Sequence, residues 1–176
     1  MQLFKIINLK CFKIYFKLKL LRISNLLKIL FLTESLSTAM GGIATGTIHM
    51  AIGLSNHFSK SQHQIITQED NNSDCFDDEY NLPKNLKIVK LPKFGLKNYP
   101  IYLSMRKSIK SFNPDIIYLK GLWRHTSIEA YIWKKSHPEK ILIVSPSGML
   151  QPKAMENKKI LKLISIFLIE HKLFKV

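Results

Sequence analysis

Residues 28–58 read KILFLTESLSTAMGGIATGTIHMAIGLSNHF: a continuous apolar run, then a glycine-bearing loop, then an amphipathic stretch. Ile29, Leu30, Phe31 and Leu32 are apolar on successive residues, as a strand covered on both faces of a parallel sheet must be. From Ala44 the apolar positions Ala44, Ile48, Ala51, Ile52 and Phe58 follow a helical period with one buried face. The stretch between, Glu34 to Thr47, reads as a long loop holding Gly41, Gly42 and Gly46. In an open α/β sheet ligands sit at the carboxyl ends of the strands, where a glycine loop and a helix N-terminus let backbone N–H groups approach a phosphate. Strand, loop and helix in this order therefore predict a doubly wound α/β domain with a phosphate-bearing ligand. Neither G-x-G-x-x-G nor G-x-x-x-x-G-K-[ST] occurs, so dinucleotide redox chemistry and P-loop hydrolysis lose support.

Outward from this unit the chain repeats its alternation. His63–Gln68, Leu86–Leu91, Asp115–Leu119 and Ile141–Val144 read as four further strands. Helical periods fill Asn98–Phe112, the segment after Trp123 with Ile128, Tyr131 and Ile132, and the basic remainder to Val176. Five strands alternating with helices predict a single Rossmann-like domain over 28–176 with a parallel sheet. Residues 1–27 form a separate basic extension, with six Lys or Arg and no acid, whose charges interrupt every apolar run. A membrane span needs roughly 20 predominantly apolar residues, so this extension reads as a basic amphipathic helix on anionic lipid or as an unstructured start. Glu69–Tyr80 collects six of the twelve acids among Asn and Ser and reads as a solvated loop.

The net charge of +15 admits nucleic acid, an anionic membrane or acidic substrates as partners. Of the 27 basic residues only Arg22, Arg106 and Arg124 are arginine, leaving 27 − 3 = 24 lysines spread along the chain. Lysine is the poorer bidentate ligand for phosphate or guanine, so no nucleic-acid partner is expected. Cys11 and Cys75 belong to no C-x-x-C or Cys/His cluster, and the histidines lack metal-ligand spacing. Neither a metal nor a cofactor is expected.

Three segments taken in order resemble the N-terminal domain of family 4 glycosyltransferases, enzymes of the GT-B fold that use activated sugars. They are the strand ending Leu32-Thr33-Glu34-Ser35 with its Gly41-Gly42 loop, the run Asn113 to Trp123 (NPDIIYLKGLW), and Ser145 to Ala154 (SPSGMLQPKA). The third is similar to the family's S-P-H-G-M-L-x-P-W-A. The resemblance implies the acceptor-side half of a two-domain, retaining sugar transferase. Its partners would be a nucleotide-sugar and a glycan or lipid acceptor, with a donor domain supplied elsewhere, since no E-x7-E pair occurs; Glu69 and Asp77 come nearest. It further implies a cytoplasmic location with contact at the inner face of the membrane, no turnover by this half alone, and no assignable catalytic residue. The binding residues it marks are Gly41, Gly42, Lys120, Gly121, Trp123, Ser147 and Gly148. Lys120 and Ser147 stand where the family often has histidine, which removes a group able to relay a proton near neutral pH. Trp123 and Trp133 could each stack on a sugar, with Trp133 reading better as core because it lies on a helix. A non-catalytic sugar- or nucleotide-binding module, and a basic membrane-surface protein, are the alternatives.

Overall fold

A computed structural model describes residues 27–68, 80–92, 94–96, 99–156, 160, 162 and 165. The basic extension (1–26), the acidic stretch (69–79) and most of the chain after 156 lie outside the described residues, and the readings made for them with them.

Five parallel strands form the centre: β1 (Lys28–Leu32), β2 (Gln62–Gln68), β3 (Leu86–Leu91), β6 (Ile116–Lys120) and β7 (Ile141–Ser145). Their spatial order is β3-β2-β1-β6-β7, so the chain winds outward from β1 in one direction and then in the other. Ile29, Leu30, Phe31 and Leu32 pair with β2 on one side and β6 on the other, which fixes β1 as a central strand. Because successive side chains of a strand face opposite ways, a run apolar at every position serves two cores. Ile29 and Phe31 join Ala44 and Ala51 of α1 (Gly42–His57) on one face. Leu30 and Leu32 join Met105 and Ile109 of α2 (Met105–Phe112) and Ala130 and Trp133 of α3 (His125–Ser136) on the other. The molecule is therefore a Rossmann-like α/β domain with helices on both faces of an all-parallel sheet.

Two expectations are corrected. The segment read as one helix from Asn98 instead holds a strand, β5 (Tyr99–Ile101), that pairs antiparallel with β4 (Phe94–Leu96) before it, and α2 starts only at Met105. Phe94, Leu96, Tyr99 and Ile101 alternate with other residues at the strand period, and Pro100 has no N–H for a helical ladder. The loop after β1 is also shorter than read, because Ser37 caps a 3-10 turn at Thr38–Met40 and α1 begins at Gly42. Gly46 thus lies inside the helix, where a Cβ would sit 3.7 Å from Lys120 Nζ. A side chain longer than alanine at this position would compete with that amine for space.

Candidate functional site

The first loop is built by short polar bonds. Ser35 Oγ accepts the Ser37 N–H at 2.9 Å, Ser37 Oγ accepts the Ala39 N–H at 3.3 Å, and the Gly41 N–H donates to the Thr38 carbonyl at 2.9 Å. These bonds deliver Gly41 at φ 51°, ψ −128°, a conformation open to glycine and strained for any other residue. The first N–H groups of α1 have no intrahelical partner, as at any helix start, and no side-chain hydrogen bond from Gly41 caps them. Such an end carries partial positive charge. The Lys120 amine, close to Gly46 on the same helix, adds a full one.

Lys120 ends β6, where it is registered against Ser145 of β7, and the Gly121 N–H donates to the Ser145 carbonyl at 2.9 Å. Gly121 turns with φ 88°; a Cβ there would meet Met149 Cε at 3.2 Å, and Met149 Sδ accepts the Leu122 N–H at 3.1 Å. Beyond β7 the Met149 N–H closes a turn onto the Pro146 carbonyl at 3.0 Å. Ser147 (φ 52°) and Gly148 (φ 79°) are its central residues, two consecutive left-handed positions of the kind a type I′ turn requires. Trp123 is left-handed as well, at φ 60°. An aromatic residue held there is an outlier of the sort that clusters at binding sites.

All seven residues marked by the sequence thus lie at the carboxyl ends of β1, β6 and β7, five of them in the loops there, with Lys120 closing β6 and Gly42 opening α1. The strand order reverses between β1 and β6, and in open α/β sheets ligands bind at that reversal. Trp133 is buried in the core, as read, and it also stacks on His137. Trp123 packs against the α3-side core, and one face of its ring carries the Lys162 ammonium 4.8 Å from the centroid. A sugar stacking on that face would have to displace Lys162.

Two polar devices were not read from the sequence. Arg124 pairs with Glu34 at 2.9 Å, tying the loop after β6 to the loop after β1. Beside them Arg106 grips the buried Glu129 with two bonds of 2.9 and 2.8 Å. His125 lies 3.5 Å from the same carboxylate through Nε2, and its Nδ1 accepts the Tyr102 N–H at 3.5 Å. Burial pushes the His125 pKa below its ordinary 6.5; Glu129 opposes the shift and Arg106 adds to it. Both ring nitrogens are thereby engaged, and the histidine acts as a strut between α3 and the hairpin. Neither pairing has a local sequence pattern; only the i, i+4 spacing of His125 and Glu129 on one helix face could have signalled part of it.

Among the described residues no group of three or more His, Cys, Asp or Glu side chains could hold a metal ion, and no helix is long and apolar enough to cross a membrane. What fold and loops define together is a Rossmann-like domain with a glycine-lined, positively polarised rim at its strand reversal. No protein-family model, curated protein or solved structure matches the chain.

Proposed function

We propose that this chain is the acceptor-side half of a sugar-transferring enzyme. Its glycine-lined rim would face the diphosphate of a nucleotide-sugar, and a glycan or lipid acceptor would lie alongside. The observation that supports this reading most is convergence: three segments far apart in sequence, each resembling a family 4 glycosyltransferase motif, meet at the carboxyl ends of β1, β6 and β7. The rim suits an anion. An uncapped helix start, the Lys120 amine and glycines permitting close backbone approach all lower the cost of holding negative charge.

In this reading the chemistry needs a second Rossmann-like domain. Rate in such a transfer comes from holding donor and acceptor in register and stabilising charge on the departing diphosphate, and one wall of a cleft leaves that charge in water. The 176 residues alone are expected to bind UDP, GDP or ADP weakly and to release no diphosphate from the corresponding sugars. Calorimetric titration with each nucleotide, alongside a diphosphate-release assay with lipid and oligosaccharide acceptors, tests both parts. Gly42→Val is the matched control, because a Cβ at Gly42 meets nothing within 4 Å and the added bulk blocks the helix end without disturbing the fold. Binding that survives Gly42→Val, or sustained release by the wild-type chain, contradicts the proposal.

A further inference from the structure

The loops after β6 and β7 are joined through one sulfur. Met149 Sδ accepts the Leu122 N–H at 3.1 Å, and Met149 Cε lies 3.2 Å from where a Cβ on Gly121 would stand. The Met149 N–H closes its own turn onto the Pro146 carbonyl at 3.0 Å, and the Gly121 N–H donates across to the Ser145 carbonyl at 2.9 Å. The Met149 side chain thus bridges two segments that both hold left-handed residues, Gly121 and Trp123 in one, Ser147 and Gly148 in the other. A left-handed Trp or Ser persists only where its surroundings hold it, and this thioether is part of those surroundings. A thioether is a weak acceptor, and leucine would fill a similar volume without any polar atom. What sulfur adds here is a reaction: it can take up an oxygen atom.

Access and packing together single out this methionine. Met105 is wholly buried in the core. Met50 is 38% exposed on the outer face of α1, where water can hydrate a sulfoxide as readily as it wets the thioether. Met149 is half-buried in a surface turn between the exposed Gly148 and Leu150, within reach of a small oxidant and yet packed between two loops. We infer that Met149 is a site of reversible oxidation by peroxide that unlocks the β6 and β7 loops. The sulfur lone pair not facing Leu122 attacks one oxygen of hydrogen peroxide, and the S–O bond forms as the O–O bond breaks. The proton left on the transferred oxygen passes to the departing hydroxide, which leaves as water; sulfur is oxidised by two electrons and peroxide reduced by two. The sulfoxide sulfur carries partial positive charge and faces the positive end of the Leu122 N–H, so the contact that joined the loops becomes repulsive. Bringing the new oxygen round to Leu122 would swing Cε out of its place against Gly121. Either way the bridge opens. A reductase that passes two electrons from a pair of thiols to the sulfoxide, releasing a disulfide and water, closes it again. The inference stands whether or not the rim takes a nucleotide, because its readouts are the loops themselves.

The test treats the full chain with dilute hydrogen peroxide, maps oxygen gain at each methionine by peptide mass, and records amide spectra and hydrogen exchange before and after. Wild-type protein is expected to gain one oxygen at Met149, and the Gly121, Leu122 and Gly148 signals to move while those of Asn85 and His63, at the far end of the sheet, stay still. Exchange at Leu122 should quicken about tenfold or more once its acceptor is oxidised. Methionine sulfoxide reductases of both stereospecificities, with dithiothreitol as electron donor, should restore the original spectrum. Met149→Leu keeps the bulk and removes the sulfur, so peroxide should leave its Gly121 and Gly148 signals unmoved although Met50 is oxidised as before. Cys11 and Cys75 are common to both chains, so the difference reads Met149. If Met149→Leu melts early, the loop signals of the wild-type chain are instead followed against the extent of oxidation at each methionine, and they should track Met149 and not Met50. Met149 left intact under conditions that convert Met50, loop signals that move equally in Met149→Leu, or an oxidised Met149 with unchanged exchange at Leu122 overturns the inference.

Discussion

The two ends of the one sheet are built on opposite terms. At the amino end, polar side chains close the backbone. Asn85 Nδ2 donates to the carbonyls of Ser55, Phe58 and Ser61, the Lys28 N–H donates to Asp115 Oδ2, and Lys140 Nζ bonds Asn113 and the Pro114 carbonyl. At the carboxyl end gather five of the six left-handed residues found among the described residues, Gly41, Gly121, Trp123, Ser147 and Gly148, with Asn113 the one elsewhere. Asparagine bears that conformation at little cost as the αL cap of α2, whereas Trp123 and Ser147 do not. Stability is concentrated at one end and strain at the other, the division expected when one end is kept for a ligand.

This division orders what mutations should do. Asn85→Ala leaves three carbonyls without their shared donor and should cost about 3 kcal/mol in urea unfolding. A loss under 1 kcal/mol would show that the amino end is not the stabilised one. At the other end Gly121→Ala combines a left-handed φ with a 3.2 Å approach to Met149 and should cost about 2 kcal/mol. Ser147→Gly should do the reverse, relieving the strained φ and raising stability by up to about 1 kcal/mol. If it lowers the unfolding midpoint, Ser147 is not strained and the contrast weakens.

The amino end also carries a pH signature. His63, on β2, is buried to 1% exposure. Burial pushes its pKa below 6.5, with only the Phe58 carbonyl opposing. The folded chain therefore resists a proton that the unfolded chain accepts. Stability from this site is complete above pH 6.5 and falls as acidification proceeds from there toward the lower folded pKa. His125 works in the same direction. Thermal melts between pH 8 and 5 should fall with acid, and His63→Leu should flatten part of that slope; an unchanged slope would mean the imidazole is solvated.

The parallel sheet was legible because burial on both faces writes itself into every position of Ile29–Leu32 and into all of Ile116–Leu119 but the half-buried Tyr118. The strand-end positions of Gly41, Gly121 and Gly148 were legible for a related reason, since glycine next to a strand end reports a backbone demand directly, whereas Lys120, Trp123 and Ser147 were marked only through the family resemblance. The hairpin was not, since Phe94 to Ile101 is short and lysine-interrupted, and its second half was read as the start of the helix from Asn98. Gly46 misled in the other direction, because a glycine inside a helix looks, in sequence, like a loop residue. The Glu34–Arg124 and Arg106–Glu129 pairs join residues whose proximity only the tertiary fold creates.

The central claim is that the carboxyl-end rim binds a nucleoside diphosphate, and residue-resolved titration tests it most directly. In amide nitrogen–proton spectra of the labelled chain, adding UDP, GDP or ADP should move the signals of Gly41, Gly42, Gly121 and Gly148 together along one saturating curve. Asn85 and His63, at the far end of the sheet, should stay still. Shifts confined to the amino end, or glycine amides unmoved by all three nucleotides at millimolar concentration, would contradict the account.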